Sequence, residues 1–87
     1  MSRVDDIKNE IRILENSIAD IERNMSNLQE LIDNASEDTP DYVTERRENE
    51  LSNFASELES QKSELEEYEQ ALEEAQEEDD ETDDYYN

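Results

Sequence analysis

Val4, Ile7, Ile11, Leu14, Ile18, Ile21, Met25, Leu28 and Ile32 follow one another at alternating steps of three and four residues. This is a heptad repeat, written abcdefg, with an apolar residue at every a position (4, 11, 18, 25, 32) and every d position (7, 14, 21, 28). The stripe is narrow and the positions off it are mostly polar. A helix bearing it cannot bury that seam on itself, so a second helix is required.

The chain supplies one. Helix one is expected over residues 3–33, with Ser2 as N-cap, Asp5 in the capping-box position, and Asp5 and Asp6 at the positive end of the helix dipole. Residues 34–39, Asn-Ala-Ser-Glu-Asp-Thr, break the pattern. Thr39 and Pro40 then signal a new start, a threonine cap followed by proline at the first helical position. Proline also biases the residue before it away from helical geometry, so the connection is read as a corner rather than a kink. Helix two is expected over residues 40–78 and an acidic tail over 79–87.

Helix two carries Thr44, Leu51, Leu58, Leu65 and Leu72 at a, and Arg47, Phe54, Gln61, Tyr68 and Ala75 at d. Arg47 lies near the turn, where its charged head reaches solvent. Gln61 is a polar core residue of the kind that fixes register at a cost in stability. The expected fold class is all-α: an antiparallel two-helix coiled-coil hairpin over residues 1–78 with a disordered acidic C-terminal tail. The last fifteen residues hold nine acids and no base, an arrangement that opposes the dipole at a helix C-terminus and repels along the helix.

An antiparallel pair layers a against d. The favoured register sets Ile7 opposite Leu72, Ile18 opposite Gln61 and Ile32 opposite Arg47, and gives each seam residue of helix one a partner. It is also read as bringing Lys8 to Glu69 and Glu15 to Lys62, both attractive. A shift of one heptad brings Lys8 to Lys62 and Glu22 to Glu48, both repulsive. Each exposed ion pair contributes only about 0–1 kcal/mol, but two attractions against two repulsions favour the first register. Nothing local distinguishes pairing within the chain from pairing between chains.

Composition agrees with a single seam. Apolar residues make up 31% of the 87, against about 45–50% in globular domains. Glycine is absent and Pro40 is the one proline, which argues against a fold with many tight turns. No stretch approaches the roughly 20 apolar residues of a membrane span, and no signal peptide is visible. A cytoplasmic location and no membrane association are expected. Without cysteine there is no disulfide.

Twenty-nine acidic residues face seven basic ones, for a formal net charge of -22. Direct binding to a nucleic-acid backbone is excluded, because it needs a basic patch. Three causes fit such acidity: work in high salt, where screening is short-ranged; an acidic face for a basic partner; or a solubilising tail. High salt leads, because acids outnumber bases along the whole chain and Lys8 and Lys62 are its two lysines.

No catalytic residue, cofactor or specific metal site is expected. Histidine and cysteine are absent, no glycine is present for a phosphate loop, and carboxylates are so common that a pair of them carries no signal. The calcium loop needs a glycine turn and a set oxygen spacing, neither of which is here. The candidate interaction residues are Ile13, Leu31, Tyr85 and Tyr86. Ile13, at c, marks a contact with a third helix or partner, or is an ordinary exposed isoleucine. Leu31, at g, is expected to widen the buried face near the turn. Tyr85 and Tyr86 form an aromatic anchor for a basic-rimmed pocket, or a terminal accident of composition. Ala55, at e, offers a point of close approach, and Tyr42 a cover for the hairpin tip.

The expected function is a non-enzymatic structural or adaptor protein, a helical hairpin mediating protein–protein assembly in a high-salt environment. Its partners are a second copy, a larger assembly or a basic protein. The alternative is an acidic nucleic-acid mimic that inhibits a basic DNA-binding protein. A third reading is a holdase-like or regulatory subunit whose tail touches a basic client.

Overall fold

The computed structural model describes residues 2–78 of the chain, and everything said of side chains refers to these. Two helices pack against each other, α1 over Arg3–Asp33 and α2 over Asp41–Tyr86, with no strand among the described residues. The expected disordered tail, 79–87, lies outside the described residues.

Each end of α1 is closed by local chemistry. Ser2 is extended, with φ -81° and ψ 160°, and its hydroxyl accepts from the Asp5 N–H at 3.1 Å. One of the orphan donors of the first turn is thereby satisfied. At the far end Asn34 leaves helical geometry (φ -96°, ψ 9°) and its N–H donates to the Glu30 carbonyl at 3.0 Å. The Ala35 N–H donates to the Ile32 carbonyl at 3.3 Å. A left-handed cap would favour glycine. The chain has none and shows no positive φ among the described residues.

The corner is held by Ser36 and Thr39. The Thr39 N–H donates to the Ser36 carbonyl at 3.0 Å, and the Ser36 N–H donates to Thr39 Oγ1 at 3.2 Å. The Thr39 hydroxyl therefore turns back into the corner and does not cap α2. One oxygen serves the nearest unpaired donor, and the four-residue turn makes that donor Ser36. The second helix accordingly begins at Asp41, one residue beyond Pro40, whose carbonyl accepts from the Val43 N–H at 3.1 Å.

All nineteen expected seam positions, Arg47 and Gln61 included, are buried or half-buried. Off the seam only Ser17, Thr39, Val43 and Ala71 are sheltered to that degree among the described residues. The expected widening of the buried face by Leu31 does not occur, since that side chain is 49% exposed. Tyr42 is 64% exposed and does not cover the tip; half-buried Val43 and Thr44 stand there instead. The cross-section is only 17 × 14 Å, so every seam residue is near solvent. The most deeply buried are Ile7, Ile18, Ile21 and Ala75.

Contacts between the helices fix the register. Arg3 Nη1 meets Glu78 Oε2 at 3.2 Å. Ile18 shares a recess with Leu58, Lys62 and Leu65, and Met25 shares another with Leu51 and Ala55. Both placements agree with Ile18 opposite Gln61 and Met25 opposite Phe54. A shift of one heptad would set Arg3 against Ala71 instead of Glu78.

The expected flanking pairs do not form. Lys62 Nζ lies 3.9 Å from Glu22 Oε2, and neither Lys8–Glu69 nor Glu15–Lys62 comes within ion-pair distance. Helical side chains lean toward the N-terminus of their own helix. In an antiparallel pair that lean makes Lys62 and Glu22 converge while Lys62 and Glu15 diverge. The edge pairs that do form, Lys62–Glu22 and Arg3–Glu78, are both exposed, so charge contributes little to the choice of register. The choice rests on the seam: this register buries Leu72 and Ala75 against the start of α1, which the shifted one would leave unpartnered. Burying roughly 100 Å² of apolar surface contributes about 2–3 kcal/mol, more than any exposed ion pair.

Candidate interaction surface

The two edges of the seam differ. Positions e flank the a residues and positions g flank the d residues. Every described e position on both helices is exposed, whereas Ser17, Val43 and Ala71, all at g, are half-buried. The seam is thus open along its whole e edge and sheltered only in places on its g edge, where a smaller recess beside Phe54 lies between Glu50 and Glu57.

Two shallow recesses lie along the open e edge. One, of about 560 Å³, has Ile18, Leu58 and Leu65 in its lining; the other, of about 530 Å³, has Met25 and Leu51. These are all a residues, seen from the side. Ala55 lines both recesses, because its single methyl group leaves the floor uncovered where a longer e residue would fold over it. Serines 26 and 52 beside it are equally short.

The rim is acidic. Glu48, Glu59, Glu66 and Glu69 stand around the recesses with Lys62 as the cation among them. Lys62 is already engaged by Glu22. The recesses thus combine an apolar floor with a rim that is mostly carboxylate.

Gln61 adds a defect to the same stretch. Its Nε2 donates to Glu57 Oε1 at 3.4 Å, and its Oε1 is buried with no hydrogen-bond partner. The seam is half-satisfied at this layer, opposite buried Ile18.

Of the residues singled out from sequence, Ile13 and Leu31 are exposed, at 51% and 49%. They stand at c and g, eighteen positions apart on α1, about 27 Å along its axis. The structure does not bring them together, and neither borders the open edge recesses. Tyr85 and Tyr86 lie outside the described residues. Ala55 is the one sequence-marked position that falls on the recesses. The floor itself was missed, since heptad letters say which residues face the seam and not which edge stays open.

Among the described residues no group of three or more acidic, histidine or cysteine side chains is arranged to hold a metal ion, and no helix is long and apolar enough to cross a membrane. Compared with protein-family models, curated proteins and solved structures, the chain matches none of them.

Proposed function

We propose that this protein is a non-enzymatic structural or adaptor element, a helical hairpin that mediates protein–protein assembly in a high-salt cytoplasmic environment. The observation that carries the reading is the seam left open along its e edge. A two-helix rod with partly exposed a residues gains stability by covering them. The paired part of the rod, set by the 31 residues of α1, runs about 46 Å, a useful length for a strut or spacer. Acids outnumber bases eight to four on α1 and fourteen to three over residues 41–78, so the charge is spread along the rod, as work in salt favours.

A second reading draws on the net charge of -22: an acidic mimic of nucleic acid that occupies the groove of a basic DNA-binding protein. Titration into a complex of such a protein with DNA at moderate salt separates the two. The assembly reading expects the complex to stay intact, and stoichiometric release of DNA overturns it. The salt reading expects helicity and thermal midpoint to rise between about 0.1 and 1 M salt as self-repulsion is screened; a flat or falling midpoint removes that part of the proposal.

A further inference from the structure

We infer that the e edge is a docking groove for a third helix supplied by another protein, with an apolar stripe flanked by lysine or arginine. The inference rests on the assembly reading and names its surface and partner. The two larger recesses both lie along this edge, and the recess at Phe54 on the other edge is smaller. Met25 and Ile18 of α1 and Leu51, Leu58 and Leu65 of α2 form the apolar floor of the larger two, and the lining runs from Glu48 to Glu69 on α2. That stretch of α2 runs about 32 Å, or six turns of a docked helix. Where the two recesses meet, Ala55 is short enough for another helix to approach closely, as is Ser52 in the second recess.

Charge chooses the occupant. Glu48, Glu59, Glu66 and Glu69 edge the floor, against the single cation Lys62, which lies 3.9 Å from Glu22. A second copy would bring the same four carboxylates to the same rim, along with another -22 of net charge. Like charges brought together at an interface oppose binding, and cationic flanks meet each glutamate instead. Buried apolar contact then holds the helix, and the rim sets its identity.

The test uses the full chain and a synthetic amphipathic peptide of about 21 residues, matching the groove at 1.5 Å per residue, with leucine at a and d and lysine at e and g. Two control peptides keep the leucines with glutamate flanks, or keep the lysines with serine in place of leucine. Binding is read by fluorescence anisotropy, and circular dichroism checks that each variant keeps its helicity. Ala55→Lys blocks the groove, and Ser56→Lys places the same charge on the outer face one residue away. The groove predicts one peptide per chain, at least tenfold weaker binding to Ala55→Lys, less than twofold change for Ser56→Lys, and weak binding of both controls. Equal weakening by the two variants would mean diffuse attraction to an acidic surface and overturns the proposal. So does a dimer of the wild-type chain, seen by mass in solution, that Ala55→Lys splits, because the second copy is then the occupant. Absence of peptide binding in a chain that leaves protein–DNA complexes intact removes the groove and leaves the assembly reading standing; release of DNA removes the assembly reading itself.

Discussion

The two helices share one seam and build it differently. α1 places valine, isoleucine, leucine or methionine at every a and d position. α2 interrupts its own with Thr44, Arg47 and Gln61. Burial follows this division: Ile7, Ile18 and Ile21 on α1 are buried, and α2 contributes only the small Ala75 at that level. α1 thus provides most of the apolar contact, while α2 provides a frame that tolerates polar residues near the corner, where Thr44 and Arg47 sit half-buried. Gln61 is the exception, because it lies in mid-seam with an unpartnered oxygen.

The largest effect should come from breaking that division at one layer. Ile21, 5% exposed, faces half-buried Leu58. Ile21→Ala should cost about 2–4 kcal/mol, through lost burial and the cavity left behind. Leu58→Ala should cost less, since its side chain keeps contact with water on the open edge. Ile13→Ala, at an exposed position, should stay within about 0.5 kcal/mol. Urea midpoints of the three variants rank them, and a Leu58 variant less stable than the Ile21 variant would reverse the asymmetry.

A substitution at Gln61 sharpens the comparison from the other side. Gln61→Leu removes the orphaned oxygen and makes the layer opposite Ile18 apolar on both helices. The variant should gain about 1–2 kcal/mol, the penalty of a buried unsatisfied acceptor. A lower urea midpoint would mean that Gln61 finds a partner in solution. The register should not change, because residue 61 faces an isoleucine in either register, Ile18 in this one and Ile11 after a shift of one heptad, so the gain is common to both. A register change appears as altered proximity of spin labels at Asn9 and Glu73.

Much of this was legible in the chain. Ser2 could be read as a cap because its hydroxyl had one obvious use. The seam could be read because burial at the a and d positions of a two-helix rod follows the heptad, and even Arg47 and Gln61 obeyed it. Thr39 was harder, since one hydroxyl had two possible clients and only the closed turn shows that Ser36 N–H is the nearer. The open edge was beyond the pattern: Ala55 stood out as small, but its recesses depend on how Ile18, Met25, Leu51 and Leu58 are seen from the side. The flanking ion pairs were misread for a related reason. Heptad letters give the position of a side chain's origin and omit its direction.

That omission makes the smallest prediction the most discriminating. The lean of helical side chains that joins Glu22 to Lys62 sets Glu15 against Glu69, one heptad farther along the same edge, an unfavourable pair of acids. Glu15→Lys should therefore create an attraction to Glu69. A double-mutant cycle isolates it from the change in net charge and from the neighbouring Arg12. Combined with Glu69→Gln, the cycle should give a coupling of about 0.3–1 kcal/mol in dilute buffer, fading toward zero near 1 M salt. If side-chain origins alone governed the edge, Glu15 would face Lys62, and the coupling would appear in a cycle with Lys62→Met instead. Both cycles share the Glu15→Lys variant, so fold-wide effects cancel between them. Whichever carries the coupling decides whether direction or position sets charge pairing on this hairpin.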